Sequence, residues 1–130
     1  MADSFLKNYV AHNADLVQAL VEDLQAWPGP RLAAHRSASQ LFHKLAFLAD
    51  LGLGADYPGL GSGIEKILNS FGPESLPGIS MEVSGQPGED PETRLSWAIC
   101  DAPTSLYALK LLGVEDPRIE AGTDYLVALD

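Results

Sequence analysis

The sequence has little of what marks exported, membrane-spanning or nucleic-acid-binding proteins. Its 130 residues include a single cysteine, Cys100, so no disulfide can form within the chain and a reducing compartment is expected. Eight basic residues stand against 18 acidic ones, and no Lys/Arg cluster offsets the net charge of −10, which argues against nucleic acid and anionic membranes as partners. No apolar run approaches the ~18 residues of a membrane helix, and the N-terminus lacks the basic region of a signal peptide. We therefore expect a cytoplasmic protein without a membrane span.

What is present is the composition of one packed domain, with 46% hydrophobic and 20% charged residues. Apolar residues recur at three- and four-residue spacing through most of the chain, which predicts an all-α fold. Proline and glycine divide it into four parts. These are an N-terminal helical segment (1–30), a first helical hairpin (37–72), a Pro/Gly-rich acidic loop (73–92) and a second hairpin (93–130).

The two predicted hairpins resemble each other. Gly52 and Gly113, each after a leucine-rich helix, are 61 positions apart, and the following Pro58 and Pro117 are 59 apart. The second helix of each hairpin also carries a glycine near its middle, Gly63 in one and Gly122 in the other, again at an offset of 59. Any two amphipathic hairpins share leucine spacing, but coincident Gly, Pro and Gly favour a repeat.

The better-preserved copy runs from Trp97 through Cys100-Asp101-Ala102-Pro103 to Gly113, and continues from Asp116-Pro117 to Leu126. It resembles a repeat of the prenyltransferase and squalene-cyclase superfamily. The resemblance implies α-helical hairpins of α/α-toroid type, here forming an incomplete ring, around a hydrophobic cavity that binds isoprenoid chains in active members.

The chain departs from that superfamily at its catalytic motifs. It has no Asp-x-Asp-Asp motif, and Ser70-Phe71-Gly72 lacks the Gln and Trp of the family's loop motif. Cys100 and Asp101 match two zinc-ligand types of protein prenyltransferases, yet no histidine lies downstream of them. His35 and His43 are eight residues apart, too far for a shared metal on one helix, so we expect no metal and no cofactor.

Four residues are candidate site residues. Cys100 and Asp101 could face the cavity at the start of an inner helix, where the helix N-terminus favours a thiolate. The plainer interpretation is a buried apolar cysteine beside a capping aspartate. Trp97 and Tyr107 could line an apolar ligand pocket or stack on a cationic intermediate, whereas their plainer role is core packing.

Two functional hypotheses follow. The first is a helical-repeat module that binds an apolar small molecule or a protein partner and has no complete catalytic motif. The second is the N-terminal part of a terpene-cyclase or prenyltransferase-like enzyme whose catalytic residues lie beyond residue 130. Because Val127 lies off the apolar face formed by Ile119, Tyr125 and Leu126, we also expect self-association, or docking on the remainder of a longer chain, through the last helix.

Overall fold

A helical framework carries the part of the chain that the structure, a computed structural model, describes: residues 2–27, 41–83, 92–96 and 102–129. The elements, in chain order, are α1 (Ala2–His12), α2 (Ala14–Asp23), a short 3₁₀ helix (Leu24–Ala26), α3 (Leu41–Asp50), α4 (Leu60–Asn69), β1 (Ile79–Val83), β2 (Glu92–Ser96), α5 (Ala102–Leu111) and α6 (Pro117–Ala128). The prediction of a helical fold is confirmed. The toroid arrangement and the incomplete ring stay predictions.

One part of the sequence prediction is wrong. Strand β1 lies within the predicted loop 73–92. Strand β2 lies at the start of the second predicted hairpin, at residue 93, where a helix was expected. The two strands pair antiparallel, with Ile79 opposite Ser96 and Val83 opposite Glu92. Pairing of the two backbones satisfies N–H and C=O groups that an isolated loop would leave to water.

Glycines and a proline set the ends of the helices much as predicted. Gly52 (φ 85°) and Gly113 (φ 90°) adopt the left-handed conformation just after α3 and α5, where glycine has no Cβ to clash. Pro117 is the first residue of α6. Pro58 differs, because α4 begins two residues later, at Leu60.

The core is a single cluster of apolar side chains from helices α2 to α6 and the adjoining turns. Its largest fully buried apolar members are Val17, Val21, Leu24, Leu45, Leu48, Leu60, Ile67, Leu76 and Leu109. Among the described elements, α3 packs most extensively on α5, and α5 also packs along α6. Helix α4 packs on α2 and the 3₁₀ helix more closely than along α3, so the first predicted hairpin is more open than the second.

A backbone hydrogen bond joins the turns that follow α3 and α5. The N–H of Ala55 donates to the carbonyl oxygen of Leu112 over 2.8 Å. The C-terminal ends of α3 and α5 therefore lie side by side.

A buried polar contact connects three segments that are distant in sequence. The Trp27 indole Nε1–H donates to Ser70 Oγ (3.0 Å) and to the carbonyl oxygen of Gly78 (2.9 Å). Ser70 Oγ in turn donates to the Ile67 carbonyl oxygen. This contact ties the end of the N-terminal helices to the end of α4 and to the residue before β1.

Candidate functional site

An open apolar groove runs between α5 and α6. Its volume is about 570 Å³. The lining residues are Pro103, Leu106, Tyr107 and Lys110 from α5, and Ile119, Glu120, Thr123, Leu126 and Val127 from α6. Residues spaced by three, four and seven positions lie on one side of a helix, so each helix contributes one continuous stripe.

The floor and the rim of the groove differ in exposure. Leu106 and Ile119 form the floor and are almost completely buried. Tyr107 and Val127 form the rim and are 63% and 70% exposed. Leu111, the last residue of α5, and Leu129, the residue after α6, are also about half exposed, at 46% and 52%. Apolar surface is therefore concentrated on this pair of helices.

One ion pair crosses the groove. Lys110 Nζ of α5 contacts Glu120 Oε1 of α6, and both side chains are more than half exposed. An exposed pair of this kind stabilises the fold by little, roughly 0 to 1 kcal/mol. Its main effect is to leave the groove lining electrically neutral, with one positive and one negative group.

The start of α6 is held in place by Asp116 and Arg118. Asp116 caps the helix, because its Oδ1 accepts from the backbone N–H of Arg118 at 2.9 Å. The Arg118 guanidinium donates to both carboxylate oxygens of Asp116 and, through Nη1, to the Leu68 carbonyl oxygen at the end of α4. The Arg118 side chain, together with its backbone N–H, holds the pKa of Asp116 below its ordinary value of 3.8.

The inner side of α6 rests on the turn that follows α4. A Cβ added to Gly122 would lie 2.1 Å from the Ser75 carbonyl oxygen, so only glycine fits at this contact. Ser75 is itself in the left-handed region (φ 61°), and its Oγ donates to the Arg118 carbonyl oxygen over 2.8 Å. These contacts fix one side of α6 against the body, and none of the described residues covers the groove side.

The face that is open on α5 is covered on α3. One side of α3, which carries Lys44 and Phe47, faces the N-terminal helices. Lys44 Nζ contacts Asp23 Oδ2 of α2 at 2.8 Å, and the Phe47 ring contacts the Tyr9 ring of α1. Phe42 and Ala49 lie on the other side of α3 and are buried.

By the 61-residue offset, Phe42 and Ala49 correspond to Pro103 and Lys110, and both of these are exposed. Likewise Ile64 of α4 is buried, whereas its counterpart Thr123 of α6 is exposed. Helix α5 is the described element that packs most extensively on α3. The equivalent face of α5 and α6 forms the groove.

Of the four residues that the sequence singled out, the structure places one. Tyr107 lies on the rim of the groove and is mostly exposed, so its interpretation as a core residue is wrong and its position fits a contact residue. Trp97, Cys100 and Asp101 lie outside the described residues. Their predicted roles stay predictions.

The sequence interpretation missed Lys110 and Glu120 as groove residues. The signal was present, because Pro103, Leu106, Tyr107 and Lys110 follow the spacing of one helix face. That face was overlooked because the leucines of α5 form the stronger apolar pattern.

The histidines offer no metal site within the described ranges. His12 Nδ1 contacts the Asn8 carbonyl oxygen in its own helix, and the His43 ring lies beside the ring of Phe42. Among the residues for which positions are described, no three His, Cys, Asp or Glu side chains cluster closely enough to hold an ion. His35 lies outside those residues.

The groove offers apolar contacts, and the charges of its Lys110 and Glu120 side chains balance each other. Within the described ranges no helix is long and apolar enough to cross a membrane. No protein-family model, no curated protein and no solved structure matches the chain.

Proposed function

We propose that this chain is a helical-repeat binding module and that the α5–α6 groove binds the apolar face of a partner helix. The observation that carries the proposal is the difference between equivalent faces. The face is buried on α3 and α4, where Phe42, Ala49 and Ile64 are covered, and it is open on α5 and α6. A face that is buried in one hairpin is suited to be covered in the other.

The shape of the groove favours a helix over a small molecule. Pockets for small apolar ligands bury most of the ligand surface, typically about 70–90%. Here the rim residues Tyr107 and Val127 project from an open trough, with more than half of each side chain exposed. Recognition of an amphipathic helix uses such a trough, with anchors spaced by three, four and seven residues.

The resemblance to prenyltransferases and squalene cyclases agrees with a module of stacked helical pairs. The resemblance also supports an alternative hypothesis. In this alternative the groove binds an isoprenoid chain, and the protein is the N-terminal part of a terpene-cyclase or prenyltransferase-like enzyme. The two hypotheses differ in the molecule that occupies the groove, so one binding experiment separates them.

A fluorescent model helix tests the proposal. The probe carries leucines at i, i+3, i+4 and i+7 on one face and lysines on the other, and its anisotropy is followed as the protein is added. We expect saturable binding that Val127→Asp weakens at least about tenfold, because an anionic side chain then stands on the apolar rim. Leu16→Asp, a matched change at an exposed leucine of α2, leaves binding unchanged.

A second titration uses farnesol as the probe for isoprenoid binding. Saturable farnesol binding that Val127→Asp abolishes, without any binding of the model helix, would replace the proposal with the isoprenoid alternative. Equal binding of the helix by the protein and by its Val127→Asp variant would show that the groove is not the site.

A further inference from the structure

We propose that the helices which occupy the groove are α5 and α6 of a second copy of this chain. The inference rests on the proposed function and names the partner. Two α5–α6 pairs meet face to face around a two-fold axis and form a four-helix arrangement. The alternative occupants, an unrelated helix or an apolar small molecule, are outcomes of the test.

Self-complementarity is the first argument for a second copy. In a two-fold contact one patch must supply both the projecting groups and the hollows that receive them. The α5–α6 face has both, since Tyr107 and Val127 project while Leu106 and Ile119 form a sunken floor. The helices have matching lengths of 10 and 12 residues, so neither overhangs its counterpart by more than a turn.

Charge is the second argument. The chain has a net charge of −10, yet the groove lining carries one cation, Lys110, and one anion, Glu120. Two copies therefore approach at this neutral patch with less repulsion than the net charge of the whole chain would produce. A two-fold axis between the helices places Lys110 of each copy near Glu120 of the other, so the pair that now crosses one groove also serves the contact between copies.

The size of the face sets the expected strength. The two helices are about 15 and 18 Å long and lie side by side, so the shared face is on the order of 400 Å² per partner. A stable interface of standard size has about 800 Å² per partner. We therefore expect weak, reversible dimers that form in the micromolar range and above.

The other exposed apolar residues do not form part of this surface. Phe5 and Leu16 project from α1 and α2, and neither lines the groove; Phe47 of α3 is also partly exposed outside the groove, and its ring contacts Tyr9. Scattered apolar side chains are normal on protein surfaces, so these two need no partner.

Sedimentation equilibrium of the full chain tests the inference. We expect a monomer–dimer equilibrium whose dissociation constant rises at least about tenfold in Val127→Asp, because this change places an anionic side chain on the apolar rim. The dissociation constant should be unchanged in Leu16→Asp. Raising the salt concentration should strengthen dimerisation, because it screens repulsion between two acidic copies. A contact driven by opposite charges would instead weaken.

A charge exchange identifies the contacting residues. K110E alone sets two glutamates against each other across the axis, and E120K alone sets two lysines against each other, so each variant should dimerise more weakly than the parent. An equimolar mixture of the two variants should form a heterodimer, because the glutamate introduced in one then meets the lysine introduced in the other. A change confined to the intramolecular pair would not produce this recovery on mixing.

The failure of this inference differs from the failure of the proposed function. A folded chain that stays monomeric at all concentrations, yet binds the model helix through Val127, overturns the second copy as partner and keeps the helix-binding function. A monomer that binds no helix overturns both. A dimer that is insensitive to Val127→Asp and to the charge exchange places the contact elsewhere and overturns the inference.

Discussion

The carbonyl oxygen of Ser75 stands so close to Gly122 that a Cβ at position 122 would lie 2.1 Å from it. The turn between Gly72 and Leu76 and the middle of α6 are thus in backbone contact. The equivalent glycine, Gly63 of α4, approaches the Leu24 side chain, where an added Cβ would lie 3.0 Å from the leucine Cβ. Both middle glycines permit a close approach, and the approach at Gly122 is the tighter.

Gly122→Ala should therefore destabilise the protein although alanine is the better helix former. We expect a net loss of roughly 1–3 kcal/mol in the free energy of unfolding, because either α6 or the Ser75 turn must move. Gly61→Ala is the matched control, since nothing lies within 4 Å of a Cβ there. Urea unfolding followed by circular dichroism measures both variants. An unchanged or raised midpoint for Gly122→Ala would contradict the contact.

Trp27→Phe should remove the hydrogen bonds that join the N-terminal helices to Ser70 and Gly78. The ring volume is partly kept, but the Gly78 carbonyl oxygen loses a buried donor. We expect a loss of about 1–3 kcal/mol in unfolding free energy. Tyr107→Phe is an exposed aromatic control and should change stability by less than ~0.5 kcal/mol. Equal midpoints for both variants in thermal unfolding would show that the buried contact contributes nothing.

Asp116→Asn should change how stability depends on pH. A carboxyl whose pKa is lower in the folded than in the unfolded state contributes stability above the unfolded value, and this contribution is lost as the pH falls through the folded value. The contribution of Asp116 is therefore complete at neutral pH and declines once the pH falls below 3.8. The stability difference between the protein and Asp116→Asn should shrink over that range, as chemical unfolding at several pH values will measure. Asp124→Asn, on the same helix, is the control. If the stability difference between the protein and Asp116→Asn does not change with pH, the lowered pKa of Asp116 is not its cause.

Cys100 should prove structural and not catalytic. The sequence places no base and no third metal ligand near it, so we expect slow alkylation of the folded protein at neutral pH and no stoichiometric zinc after purification. Iodoacetamide labelling followed by mass spectrometry measures the first, and elemental analysis the second. Alkylation as fast as in the unfolded chain, or one zinc per chain, would make Cys100 and Asp101 site residues.

The sequence predicted those elements whose signals are local. The glycines after α3 and α5 and the proline that opens α6 act through their own backbone geometry, so their positions in the sequence sufficed. The β-hairpin was missed because the pairing of two strands is not a signal that the sequence of either strand carries alone. The alternation Ile79-Ser80-Met81-Glu82-Val83 was the available signal, and the surrounding prolines and glycines obscured it.

The groove could be predicted only in part. Val127 lies off the main apolar face of its helix, which correctly indicated exposed apolar surface on the last element. The exposure of Tyr107 depends on which side of α5 meets α3, and this follows from packing between segments about 60 residues apart. Spacing within one helix shows that two stripes exist, but it does not tell which one is covered.

The hydrogen bond between Ala55 N–H and the Leu112 carbonyl oxygen is made entirely by main-chain atoms. No side chain takes part in the bond, so the bond itself does not depend on which side chains stand at positions 55 and 112, and proline at position 55 is the one replacement that removes the donor. The two turns can therefore diverge in sequence and in length while the ends of α3 and α5 stay aligned. The bond itself tolerates a change of side chain in a way that the glycine contact at position 122 does not, although the Leu112 side chain is also held by its burial in the core.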